Sequence, residues 1–185
     1  MHITGTIENT LKFEDIDARI LLGQNIPINP KHFVQHPLYP LKASDYLVRS
    51  YKSGSGLPNP SEINFMPEIT PYALILTASR NDRRADVAIC GFAIIEDVID
   101  CRQLQGGRRR YLELSRIAWE YELMDNLIAI GISEGFREIR MIPASKLRII
   151  DRKDEERLVR RYDDTARAYG FNYSANDRRH ILELK

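Results

Sequence analysis

Eight of the nine prolines fall between residues 27 and 71, with Gly54 and Gly56 among them. Each proline fixes φ and removes a backbone donor, so neither a long helix nor a central strand is expected to cross that density of breaks. The stretch therefore reads as loop-rich, and a loop region this long inside one domain is usually functional or mobile. It is expected to lie over a binding cleft. One short helix fits at Ser44–Lys52, where Ser44 can cap and Tyr46, Leu47 and Tyr51 make a face. Ahead of the prolines, His2–Ile7 reads as a starting strand. Phe13–Leu22 reads as a short helix with Glu14, Asp15 and Asp17 in its first turn and Gly23 as its stop.

The recognisable core is thus left to residues 72–185. Tyr72–Ser79 (YALILTAS) and Asp86–Asp97 (DVAICGFAIIED) are rich in strand formers, and Arg80–Ala85 between them has turn composition, which predicts a hairpin. Gly91 inside the second run marks a bulge or a close backbone approach. Val98–Arg110 reads as a connection ending in Gly106-Gly107 and three arginines. Tyr111–Trp119 (YLELSRIAW) sets apolar Leu112, Leu114 and Ile117 among polar Glu113, Ser115 and Arg116, which predicts a central strand antiparallel to the second.

From Glu120 to Phe136 the period changes. Leu123, Leu127 and Ile130 recur at helical spacing, as do Met124, Ile128 and Ile132, the pattern of a helix buried against a sheet. Gly135 closes it. Glu138–Ala144 then predicts a strand that completes a β-helix-β crossover. Lys146–Glu156 is a polar linker and Glu156–Tyr169 a second helix, with Leu158, Tyr162, Thr165, Ala166 and Tyr169 at compatible spacing. Gly170 ends it, Phe171 returns to the core, and His180–Leu184 reads as a closing strand. The order implies an α/β fold, one domain over residues 1–185, built on a single mixed, mostly antiparallel sheet flanked by helices.

A length of 185 residues suits one domain of ~100–200 residues. The near balance of 27 basic and 26 acidic residues argues against a protein that coats nucleic acid, and leaves a local basic face open. No apolar run approaches the roughly 20 residues of a membrane span. The N-terminus carries acids and lacks the basic-then-apolar layout of a secretory signal, so a cytoplasmic location is expected. Cys90 lies in an apolar run and reads as a buried free thiol, a disulfide being disfavoured in a reducing compartment. His32 and His36 lack the flanking residues of a zinc motif, and no cysteine pair has zinc spacing, so no metal is expected.

Strands leading into a buried helix, a further strand, a helix ending in Tyr169-Gly170-Phe171 and a last strand resemble the GNAT superfamily of N-acetyltransferases. The likeness covers residues 72–185, and RYDDTARAYGFNY (161–173) is its best local match. Within that superfamily, Glu113-Leu114-Ser115-Arg116-Ile117-Ala118 is similar to a Glu-Leu-Ser-Arg-Phe-Ala strand of acyl-homoserine-lactone synthases and related N-acyl amino acid synthases. The resemblance implies acyl-CoA or acetyl-CoA as co-substrate. Arg116, Ile117, Ala118 and Trp119 would lend the strand that meets the pantetheine arm, with Glu113 and Arg116 lining the cleft. The helix N-terminus would receive the pyrophosphate, as free N–H groups and the dipole attract anions. Two positions depart from the family pattern. The junction Ala118-Trp119-Glu120-Tyr121-Glu122 has no glycine and two acids, and Ala166 stands where the family often has a catalytic tyrosine. Tyr162, one turn earlier, is the nearest substitute.

Acyl transfer to an amine needs a neutral amine, a positioned thioester and a proton donor for the leaving thiolate. Glu113 is the candidate base, Ser115 and Tyr162 are candidates to assist the thiolate, and Trp119 is a candidate wall for an acyl pocket. Each has a plainer alternative: Glu113 in an ion pair with Arg116 or Arg108–Arg110, a Ser115 hydroxyl satisfied by backbone, and Trp119 and Tyr162 as core. Arg102, Arg108, Arg109 and Arg110 are the best anion binders, for a CoA 3′-phosphate, an acidic acyl carrier protein or a nucleic-acid phosphate. Arg148, Arg152, Lys153, Arg157, Arg160 and Arg161 alternate with acids and read as a solvated, salt-bridged face. The expected function is acyl transfer from an acyl thioester to a small-molecule amine or protein acceptor. The alternatives are a GNAT-fold binding module without catalysis and a nucleic-acid-associated modifying protein.

Overall fold

The computed structural model describes residues 25–35, 41–55, 63, 65–80, 83–107, 110–147 and 152–185. The strand expected at His2–Ile7 and the helix expected at Phe13–Leu22 lie outside them. Among the described residues, eight strands form one sheet: β1 (Asn25–Pro27), β2 (Tyr46–Lys52), β3 (Tyr72–Arg80), β4 (Arg83–Ile95), β5 (Val98–Gly106), β6 (Glu138–Met141), β7 (Asn172–Ser174) and β8 (Arg179–Glu183). Their spatial order is β1-β2-β3-β4-β5-β6-β8-β7. Every pairing is antiparallel except β5 with β6, so the sheet is mixed. The helices are α1 (Tyr111–Leu114), α2 (Trp119–Ser133), α3 (Arg152–Val159) and α4 (Thr165–Ala168), the last two joined by a π turn at Arg160–Asp164.

The hairpin β3–β4 follows the expected runs. Its register shifts at Leu76/Thr77, and the next ladder shifts at Gly91/Phe92, where the bulge was expected. Both expectations for Gly91 hold together. A Cβ there would stand 3.0 Å from Thr70 Cβ and 3.2 Å from Gln103 Cβ, so the bulge also brings backbone close to side chains.

Three expectations are corrected. Ser44–Lys52 is not a helix: Ala43–Asp45 makes one 3-10 turn, and Tyr46–Lys52 is a strand paired on both sides. Residues 41–57 contain no proline, so a strand fits between the breaks. Tyr46 and Val48 enter the main core, while Tyr51 enters a second core with Ile63, Ala73, Ile75 and Ile89. Burial on two faces hides the period on which a helix or strand assignment depends.

Val98–Gly106, expected as a connection, is the strand β5. Its turn, Glu96-Asp97, lacks the usual glycine, and Glu96 takes φ 55° in its place. The charges that disguised it are paired: buried Asp100 accepts from Arg102 Nε at 2.7 Å and lies 3.4 Å from Arg179 Nε.

The central strand expected at Tyr111–Trp119 is absent. The chain leaves β5 at Gly106, Gly107 N–H donates to Val87 C=O at 2.7 Å, and residues 111–114 coil into α1. Only Ile117 keeps a bridge, to Phe33. The apparent alternation breaks at Leu114 to Ile117, a spacing of three, which belongs to a helical turn.

The buried helix is where the periodicity placed it. Leu123, Met124 and Leu127 are fully buried, α2 packs on β3, β4 and β6, and Gly135 at φ 74° terminates it. The crossover is therefore β5–α2–β6, with β5 in the role expected of 111–119 and α1 inserted on the way. The last helix begins at Arg152, four residues before its expected start, and Gly170 at φ 75° ends it. Phe171 is buried and β8 closes the sheet between β6 and β7.

Candidate functional site

The parallel ladder between β5 and β6 is short. It runs from Val98–Glu138 to Cys101–Met141, and Ile142 N–H adds one bond to Cys101 C=O at 3.2 Å. Pro143 has no N–H to continue the ladder, and the chain turns away into the 3-10 turn Ala144–Lys146. Residues 102–106 of β5 keep β4 on one side and lose their strand partner on the other. The space so opened is a cleft of about 610 Å³, bounded by β5, α1, the start of α2 and the α3–π turn helix.

Tyr162 stands in this gap. Its hydroxyl accepts the Leu104 N–H at 2.7 Å, replacing the missing strand partner. Alternate residues of a strand address the same edge. Gly107 N–H bonds toward β4, so Leu104 C=O and Gly106 N–H belong to the cleft edge. A Cβ at Gly106 would meet Leu114 Cδ1 at 2.7 Å, so a larger residue there would make the Leu114 side chain shift. Burial raises the Tyr162 phenol well above its ordinary value. It therefore stays protonated and acts as a hydrogen-bonding group rather than a ready acid. A π turn places it, a local widening that often marks functional positions.

The residues singled out from the sequence separate into two groups. Ser115, Trp119 and Tyr162 line the cleft. Glu113, Arg110 and Arg116 gather instead around Tyr46, outside the cleft lining. The Tyr46 hydroxyl donates to Glu113 C=O at 2.8 Å, and Arg110 Nη1 lies 3.5 Å from Glu113 Oε1. Burial, then Glu113 and Asp45, raise the Tyr46 phenol, while Arg116 opposes them. The ion-pair alternative for Glu113 is thus the observed arrangement, and Arg110 is partly neutralised. Arg108 and Arg109 lie outside the described residues.

The backbone at 116–118 is also committed. Val34 N–H donates to Arg116 C=O at 2.7 Å, Ala118 N–H donates to His32 C=O at 2.9 Å, and Ile117 bridges Phe33. The segment 29–34, which carries Pro30 from the proline-rich stretch, fastens the α1–α2 connection instead of covering an open cleft there.

Sequence reasoning missed Leu104 and Arg161. Leu104 was concealed with the rest of β5. Arg161 lies three residues after Leu158 and four before Thr165, on the inward stripe of its helix, which was the available signal. Its interleaving with acids suggested a solvated face, yet its side chain is only 17% exposed and its guanidinium carbon lies 5.0 Å over the Trp119 ring.

Cys90 and Cys101 are free and buried, as expected of Cys90, with their sulfurs 3.5 Å apart on neighbouring strands. A sulfur hydrogen bond and then burial push the Cys90 thiol up, which disfavours the thiolate. Among the described residues, no cluster of His, Cys, Asp and Glu is placed to hold a metal, and no helix is long and apolar enough to cross a membrane. Comparison of the sequence with protein-family models and with curated proteins found no match.

Proposed function

We propose that the chain is a GNAT-like acyltransferase that moves an acyl group from an acyl thioester, on CoA or a carrier protein, to an amine. The observation that carries this reading is the parting of β5 from β6 after Cys101, which leaves a cleft along a strand edge beside the start of a buried helix. An extended, amide-bearing arm such as pantetheine can pair with Leu104 C=O and Gly106 N–H as an added strand would. The acyl chain would lie against Trp119 and Leu158. In the transfer, the amine nitrogen bonds to the thioester carbon, the C–S bond breaks, the amine loses a proton and the thiolate gains one. The Tyr162 hydroxyl can donate a hydrogen bond to the developing charge. Glu113 is tied to Arg110 and lies outside the cleft lining, so the amine must arrive neutral or lose its proton to water.

Isothermal titration of the full chain with acetyl-CoA and longer acyl-CoAs tests the reading. Saturable binding with release of free thiol on adding an amine is the expected result. No binding of any acyl donor would sink it.

A second reading has specific support: a GNAT-fold module that binds a partner and has lost its donor site. Tyr162 already holds the Leu104 N–H, Ala118 N–H is committed to His32, and the Ala118-Trp119-Glu120 junction has no glycine for a pyrophosphate to approach. Binding of an acyl donor to Tyr162→Phe, with none to the wild type, would favour it by identifying the plug.

A further inference from the structure

The cleft has charged lining residues that acyl transfer as proposed does not use. Arg102, Arg157 and Arg161 face it, and no Asp or Glu is among the described residues that line it. Arg102 is bonded to Asp100 at 2.7 Å, and Arg157 Nη2 to Asp154 at 2.5 Å. Arg161 differs. Its paired carboxylate, Glu120, stands 4.0 Å away, outside hydrogen-bond reach. Arg161 Nε is sealed from solvent and has no hydrogen-bond partner among the described residues.

Packing fixes this guanidinium in place. Its Cζ lies over the Trp119 ring, 5.0 Å from the centroid, a cation–π contact that helps hold the planar fork ready for a planar or tetrahedral oxyanion. Glu120 answers it poorly for a second reason. Burial pushes the Glu120 carboxyl up and the Arg161 guanidinium down, so neither charge is well compensated by the other. Arg157 and Arg160 add positive charge on the same helix. Leu114, Leu147 and Leu158 add apolar lining to the same cleft.

We propose that Arg161, held over the Trp119 ring, is the docking point for one oxyanion, a carboxylate or a phosphate, carried by an amphiphilic ligand whose apolar part lies along Leu114, Leu147 and Leu158. This names the ligand class of the same cleft and rests on that cleft being the binding site. It requires no acyl donor, so its failure and the failure of acyl transfer are separable.

Trp119 is the only tryptophan in the chain, so its emission reports directly on Arg161. The full chain is titrated at constant ionic strength with hexanoate, hexyl phosphate and the neutral hexanamide. At least one anion is expected to change the emission saturably and to bind roughly tenfold or more tightly than the amide, the scale of one charge-assisted hydrogen bond. The two anions distinguish a carboxylate from a phosphate ligand. Arg161→Gln should abolish the preference while hexanamide binds as before, and Arg161→Lys should keep part of it. Equal affinities for anion and amide, no saturable binding by either anion, or a preference unchanged in Arg161→Gln would each overturn the proposal. The wild-type comparison alone decides if the variants do not fold.

Discussion

Two polar clusters flank the first half of α2, and they differ in how completely their hydrogen bonds are answered. Toward the 3-10 turn Pro30–His32, Asp125 lies 2.8 Å from His32 Nε2 and 2.7 Å from Lys31 Nζ, and it accepts from the Tyr169 hydroxyl. Glu122, itself buried, accepts from Asn29 N–H at 3.0 Å and from Asn126 Nδ2 at 2.9 Å. Toward the cleft, Glu120 and Arg161 stay 4.0 Å apart and Arg161 Nε has no acceptor among the described residues. The same helix presents both. A polar group taken from water without a partner costs free energy, so the saturated cluster reads as a fastening and the unsaturated one as a place kept for something else.

The contrast breaks first if the saturated cluster can be emptied at no cost. Asp125→Ala removes the acceptor shared by Lys31, His32 and Tyr169, and a loss of about 3 kcal/mol is expected, the upper range for hydrogen bonds to a charged group. Burial alone would raise the Asp125 carboxyl, but hydrogen bonds from Lys31, Tyr169 and His32 outweigh it and hold it below the ordinary 3.8. A depressed folded pKa contributes stability above the unfolded value and loses it as pH falls through the folded one. Urea denaturation should therefore show the deficit in full near neutrality and a shrinking deficit below pH 3.8. A variant as stable as the wild type near neutrality would show that the fastening carries no weight.

A smaller effect is expected at the boundary between the clusters and the sheet. Tyr162→Phe deletes the hydroxyl that meets Leu104 N–H and leaves that donor unanswered on the free edge of β5. The expected cost is about 1–2 kcal/mol, read as a shifted denaturation midpoint. If the cleft transfers acyl groups, the same variant should lose about 10²-fold or more in turnover. Loss of stability with unchanged turnover would leave Tyr162 as a plug and remove it from the chemistry.

The fold was legible in the sequence wherever the signal was local. The runs of β3 and β4, the two-sided periodicity of α2 and the glycine stops at 135 and 170 each depend on neighbours in the chain. Three segments depended on remote partners instead. Val98–Gly106 is a strand because Asp100 finds Arg102 and Arg179. Tyr46–Lys52 is a strand because it can pair with both β1 and β3. Glu113–Ala118 is not a strand because residues 29–34 and Tyr46 take up its backbone groups. The candidate site was legible in part for the same reason. Tyr162 and Trp119 were found from a motif and an aromatic, whereas Arg161 needed knowledge of which helix face turns inward.

The smallest effect bears most directly on whether the two clusters differ in kind. Burial raises the Glu120 carboxyl above 4.5 by more than its own backbone hydrogen bond, Arg161 and Arg160 lower it. A raised folded pKa gives a contribution present below the unfolded value and lost as pH rises through the folded one, so the ionised acid weighs against folding at neutral pH. Glu120→Gln should therefore be more stable than the wild type at pH near 7 by about 1 kcal/mol or less, and the two should converge as pH falls below 4.5. Removing the acid should also strengthen anion binding at Arg161, because the ligand no longer competes with Glu120. A variant less stable than the wild type at neutral pH would mean that Glu120 and Arg161 already form an effective salt bridge. The cleft cluster would then be a second fastening, and the distinction from the Asp125 cluster would fall.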